Sequence, residues 1–151
     1  NVTHSLLLGC SMVGMNITVA SPAGADFMPK QVMIDEAMKI AEQQGSSVEI
    51  TNNAELAAMD ADILVTDTWM SYHIKPEEKE ARVARFKPYQ INSDKMKLAK
   101  PDAIFMHCLP GYREYEVTAE VMDGPQSIVF DEAENRMWTE MAIMLKLMNK
   151  V

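Results

Sequence analysis

The segment ADILVTD at residues 61–67 is apolar without alternation. A strand with one wet face alternates apolar and polar residues, whereas a strand covered on both faces has no reason to. Such a strand belongs to a parallel sheet between helical layers, and the rest of the chain reads in keeping with that. NITVA at 16–20, SVEIT at 47–51, DAIFMH at 102–107 and QSIVFD at 126–131 have the length and residue types of further strands. Helical signals separate them. THSLLLGCSMVG puts Leu6, Cys10 and Val13 on one face; a second helix opens at Pro29, carries Met33, Ala37, Ile40 and Ala41 as its stripe, and closes at Gly45. PEEKEARVARF at 76–86 is a charged helix with Glu78 and Arg82 at i,i+4, and a last helix runs from about Glu132 to Asn149. The alternation predicts an α/β fold: a Rossmann-like three-layer domain with a mainly parallel sheet of about five strands and helices on both faces, spanning 1–151 as one domain.

Charge narrows the partners. A formal net charge of −8 over 151 residues disfavours nucleic acid and anionic membranes, both of which reward basic patches. No apolar run approaches the roughly 18 residues that cross a bilayer. The start, NVTHSLLLGC, has no basic region and no initiator Met, so it reads as a cut inside a longer protein rather than a signal peptide. Two cysteines, Cys10 and Cys108, make no disulfide framework, which points to a reducing cytoplasm. Among 14 methionines, Met137, Met141, Met144 and Met148 fall at helical spacing and read as core packing.

In a parallel sheet, ligands bind beyond the carboxyl ends of the strands. That rule selects SPAGADFMP, DTWMSYH and HCLPGYR, three loops expected to form one pocket. Asp67 either holds an ammonium group or caps the turn that follows it. Ser71 offers a hydroxyl to a carboxylate or amine. His107 donates to a developing oxyanion, acts as a base, or is a satisfied core histidine. Cys108 is a nucleophile if a positive group lowers its pKa, and otherwise a small thiol. Asp131, Glu132 and Glu134 suit a helix N-terminus; Arg136 either pairs with Glu132 on the surface or is directed at the pocket.

Together NVTHSLL, ASPAG, ADILVTDTWMS, EEKEARVARFKPYQIN, MHCLP, VTAEVMDGPQSIVFDEAENR and MAIMLKL resemble the second, ornithine-binding half of the ornithine carbamoyltransferase family. The resemblance implies an amino-acid substrate of the ornithine type and no cofactor. It places Asn1, Asp67 and Ser71 at the amino-acid end, Cys108 and Leu109 beside the δ-amine, and His107 and Arg136 near the carbamoyl oxygen; Tyr72, next along the Ser71 loop, is a further substrate-binding candidate. The amine of the substrate is then the nucleophile and Cys108 a positioning group. The family's Ser-x-Arg-Thr grip for carbamoyl phosphate is not in this sequence, and neither is the central strand that leads into Asn1, so the chain alone is expected to turn over negligibly. Self-association is left open.

Departures from the family cluster in the three loops: Tyr72-His73 after DTWMS, GYRE after HCLP, and GADFMP after the first strand. They point to a pocket rebuilt for another ligand, by divergence or by design. Asp26, His73 and Glu114 would supply donors to a divalent metal, Tyr72, Tyr112 and Tyr115 would line an aromatic site or an interface, or these side chains plug an otherwise open pocket.

Overall fold

A computed structural model describes residues 1–70 and 74–150. Helix α1, Val2–Met12, passes through Gly14 (φ 75°) into strand β1, Ile17–Ala20. Helix α2, Gln31–Gln44, ends at Gly45, whose left-handed φ of 72° suits a residue without Cβ. Pro29 lies ahead of α2 rather than in its first turn, and Lys30 occupies the cap position. Strand β2 is Val48–Thr51, and helix α3, Ala54–Ala58, is capped by the Asn53 side chain, which accepts from Glu55 N and Leu56 N. Strand β3, Ile63–Thr66, follows. After a 3-10 turn at Pro76–Glu78 come helix α4, Lys79–Phe86, helix α5, Ser93–Leu98, and strand β4, Ile104–His107. Short helix α6, Ala119–Met122, and long helix α7, Val129–Leu147, complete the order.

The strands pair in parallel, β1 with β2 and β3 with β4; Leu64 stands opposite Phe105 and Thr66 opposite His107. The α/β reading with parallel strands holds, but the expected sheet of about five strands becomes four short strands in two separate pairs among the described residues. QSIVFD is not a fifth strand. It makes one bridge, Ser127 to Phe105, with Phe105 N donating to Gln126 O (2.8 Å) and Ile128 N to Phe105 O (3.0 Å), then turns into α7. Val129 is buried as well by a helix start as by a strand, and Asp131 and Glu132 favour the helix by complementing its N-terminal dipole.

Two apolar clusters hold the elements together. Leu7, Ile34 and Ala37 of α1 and α2 pack on Ile17, Val19, Val48 and Ile50 of β1 and β2. Helix α1 thus turns Leu7 and Ser11 inward instead of the expected Leu6–Cys10–Val13 face, and the Ser11 hydroxyl is satisfied by Leu7 O at 2.7 Å. The larger cluster joins Leu64, Phe105, Met96, Val117, Val121 and Val129. Strand β3 is sealed on its Leu64 face, while Val65 on the other is 39% exposed, so the cover on both faces that ADILVTD implied is incomplete.

The methionine stripe differs most from expectation. Beyond Val129 and the half-buried Glu132, the residues of α7 are exposed, and Met137, Met141, Met144 and Met148 lie at the surface with Trp138 and Ile143. Among the described residues, no helix is long and apolar enough to cross a membrane.

Phe105 has no exposed surface and sits where β4 meets Ser127 and the larger cluster. Phe105→Ala should lower the unfolding free energy by about 3–5 kcal/mol, whereas Phe130→Ala, on the exposed flank of α7, should stay within about 0.5 kcal/mol. Urea denaturation followed by circular dichroism measures both.

Candidate active site

The register of β3 and β4 decides which side chains meet beyond the sheet. With Thr66 opposite His107, the next residues along, Asp67 and Cys108, emerge side by side at the carboxyl edge. Cys108 Sγ donates to Asp67 Oδ1 at 3.3 Å, and the same oxygen accepts from Thr68 N at 2.7 Å. Asp67 therefore caps its turn and engages the neighbouring loop at once.

Cys108 is an exposed residue, yet partial burial of its thiol, the hydrogen bond to Asp67, and the charges of Asp67 and Glu132 push it up from 9.0 to about 11. The charged groups acting on it are acids, so at neutral pH it is a thiol that donates a hydrogen bond, not a nucleophile.

His107 is turned the other way. It has no exposed surface; its Nδ1 accepts from Leu109 N at 2.9 Å and its Nε2 faces Glu116 Oε1 at 3.3 Å. Its backbone N donates to Glu132 Oε2 at 2.9 Å. Of the readings the sequence leaves open for His107, the geometry shows a buried ring with both nitrogens facing partners inside the protein. The signal was in the sequence: residues two apart share a strand face, so burial of Phe105 carries His107 inward and leaves Cys108 out of phase with it.

Leu109 adopts φ 54°, a left-handed conformation that costs a non-glycine residue about 1–2 kcal/mol. Its amide is the one that reaches back to His107 Nδ1, and its side chain packs against the larger core cluster. The strain sits at the residue the resemblance places beside the δ-amine.

Arg136 does not join this group. It is exposed on α7, with Nε 3.1 Å from Glu140 Oε1, while Glu132, its expected i,i+4 partner, is used by the His107 amide. Arg136 lies on the exposed part of α7, beyond the segment held by Val129 and Glu132. Asn1 is exposed at the start of α1, and its side chain caps nothing. Ser71, Tyr72 and His73 lie outside the described residues.

Helix α4 ties the first loop to this rim. Arg85 Nη2 donates to Ala23 O at 2.6 Å and Arg82 Nε to Trp69 O at 2.5 Å. The Phe86 ring stacks on Trp69 (5.8 Å) and meets Phe27 edge-on (5.5 Å), with the Arg82 guanidinium over Phe27 and Phe86. Burial lowers the pKa of Arg82, and Glu78 opposes that shift. Contacts through α4 and the Asp67–Cys108 pair thus link the three loops along one rim. A cavity of about 160 Å³ lies behind the HCLP turn, walled in part by Leu109, Gly111, Met122 and Val129, and Asp67 and Cys108 are not in its walls.

The substituted loop residues are mostly occupied. Glu114 Oε1 accepts from Ala119 N at 2.9 Å, Tyr112 and Tyr115 meet edge-on at 6.4 Å, and Asp26 is exposed on the first loop. Among the described residues, no group of three or more His, Cys, Asp and Glu is placed to hold a metal. Glu116 and the inward role of Glu132 were not read from the sequence. A lone acid between Tyr115 and Val117 was the available hint of a buried carboxylate.

Residues 1–147 match the family model described as aspartate/ornithine carbamoyltransferase, Asp/Orn binding domain. An ornithine carbamoyltransferase of Caldicellulosiruptor saccharolyticus is 50% identical over 145 residues, which are 96% of this chain and 46% of that protein. One of Bacillus anthracis is 46% identical over 151 residues, 100% of this chain and 46% of its own length. The ornithine carbamoyltransferase structure from Pyrococcus furiosus superposes with a TM-score of 0.89 at 40% identity, covering 96% of this chain and 45% of that one. This chain therefore spans under half the length of these relatives.

Removing the carboxylate of Asp67 should lower the Cys108 pKa. In a Cys10→Ala background, the thiolate absorbance of Asp67→Asn should rise at lower pH than that of the parent. Linkage gives a second readout. The unfolded thiol ionises near 9.0 and the folded one near 11, so the thiol's contribution to stability is complete below pH 9 and is lost as pH climbs toward 11. Cys108→Ala should flatten that loss in denaturation curves.

Proposed function

We propose that this chain, which belongs to the aspartate/ornithine carbamoyltransferase family, is an ornithine-binding domain that holds the amine substrate for carbamoyl transfer. In the complete reaction the δ-amine of ornithine attacks the carbonyl carbon of carbamoyl phosphate. A C–N bond forms, phosphate leaves, the amine gives up a proton, and citrulline results.

The observation that carries the reading is the contact between Asp67 and Cys108 at adjacent parallel strand ends. It makes an anionic rim, with Glu132 adding a second charge that reaches Cys108. A rim of that sign favours a substrate with an extra ammonium group and rejects one with an extra carboxylate, which separates ornithine from aspartate within the family. Asp67 takes the ammonium end, Ser71 assists it, and the thiol of Cys108 and the backbone of Leu109 stand beside the δ-amine. Held as a thiol, Cys108 positions that amine and does not compete with it as nucleophile. His107 serves by shaping the turn that presents Cys108 and Leu109.

One domain spans 1–151, and the unpaired Cys10 and Cys108 suit a reducing, cytoplasmic setting. The exposed apolar stripe of α7 is the surface any self-association would use. Nothing in the sequence supplies a Ser-x-Arg-Thr grip for carbamoyl phosphate, so the 151-residue chain by itself binds the amino acid and turns over negligibly.

Titration calorimetry should detect L-ornithine binding and none of L-aspartate, and Asp67→Asn should weaken ornithine by about tenfold or more. Aspartate binding equal to ornithine would overturn the assignment. Citrulline formation from both substrates by this chain at the rate of an intact enzyme would refute its dependence on a second half.

A further inference from the structure

We propose that Glu116 is a positioning residue of this site: one buried carboxylate oxygen fixes the tautomer of His107, and the ring so fixed sets the backbone that presents Cys108 and Leu109. The proposal deepens the ornithine-binding reading and rests on it for its functional consequence.

Glu116 is 1% exposed and His107 is fully enclosed. Glu116 Oε1 receives Tyr112 N at 2.6 Å and faces His107 Nε2 at 3.3 Å. On the far side of the ring, Nδ1 lies 2.9 Å from Leu109 N. An amide nitrogen only donates, so Nδ1 must accept, and the neutral ring carries its proton on Nε2, aimed at Glu116. The opposite tautomer would set two donors against each other at Leu109 and leave Nε2 without a proton for the carboxylate. The ring therefore works as a spacer with a defined polarity between a buried acid and the amide of the strained Leu109.

The acid has a firm base. Glu116 O accepts from Ile91 N at 2.9 Å, and the next residue, Val117, is completely buried and bridges Ile91. Gly111 leaves room for the arrangement. A Cβ there would run into Met122 Cε and stand 3.3 Å from His107 Nε2. From Ile91 the line of contact passes through Glu116 and His107 to Leu109, and the chain between the last two is Cys108. Glu116 touches neither Cys108 nor Asp67 directly; it acts through the ring.

The test is ring nitrogen NMR on the 151-residue protein, with His107 assigned by its loss in His107→Gln. Near neutral pH the parent should show the Nε2–H tautomer. Glu116→Gln keeps an acceptor oxygen, which the Tyr112 amide holds toward the ring, and should preserve both the tautomer and ornithine affinity within about threefold. Glu116→Leu, which removes the acceptor, should mix the tautomers and weaken ornithine about tenfold. An Nδ1–H ring in the parent, an unchanged tautomer in Glu116→Leu, or a switched ring in Glu116→Gln would each overturn the proposal. If Glu116→Leu does not fold, the parent and Glu116→Gln spectra decide it. If the parent binds no ornithine, the functional reading fails, while the ring spectra still settle what Glu116 does.

Discussion

The in-register parallel pairing of β3 with β4 is the constraint on which the site depends. Parallel strands leave a sheet at the same edge, so the residues that follow Thr66 and His107 are delivered to one place. An antiparallel pair would have sent them to opposite ends. The register is enforced by packing: Leu64 and Phe105 stand opposite each other and are both in the larger core cluster. A slip of one residue would move Phe105 to the other face and part Asp67 from Cys108. The hydrophobic effect, acting on two side chains near the middle of short strands, thus fixes the polar geometry several ångströms beyond them.

What could be read from the sequence follows from the same logic. Strand ends and their loops were legible because apolar runs and breakers mark them, and Asp67 and Cys108 were correctly put at one edge. Side-chain direction was harder. For His107 the sequence leaves a donor, a base and a satisfied core histidine open, and the alternation of DAIFMH carries its side chain to the buried face with Phe105. The partner that satisfies it, Glu116, lies nine residues on, past a turn. No local pattern reports a contact of that kind. The strand assignment of QSIVFD failed for a related reason: a short apolar run followed by acids can end a sheet or begin a helix, and Val129 is buried by the second choice.

Helix α7 shows the limit of periodicity as a guide. The stripe of Met137, Met141, Met144 and Met148 has the spacing of a packed helix, and spacing says only that a face is apolar, not what lies against it. Here the helix is held at its start by Val129 in the core and by Glu132 at the His107 amide, and the stripe runs on into solvent. Arg136 goes with it. Its i,i+4 relation to Glu132 was real in sequence, but Glu132 had a better partner in a backbone N–H at the end of a strand, and Glu140, the next acid on that face, took its place.

Three carboxylates surround the HCLP turn, and their different surroundings assign their roles. Glu116 is enclosed and its oxygen Oε1 already faces donors from Tyr112 and His107, so it is spent on structure. Glu132 is partly buried and receives one backbone N–H. Asp67 is partly buried, and the donors to its Oδ1 are a backbone N–H and the weak thiol of Cys108. Neutral N–H groups and a thiol compensate a carboxylate's hydrogen bonding without cancelling its charge. The rim is therefore satisfied in geometry and unsatisfied in charge. Under the proposed ornithine-binding reading, a ligand's ammonium group would supply the missing cation where both strand ends open, against a thiol whose proton those same charges hold in place.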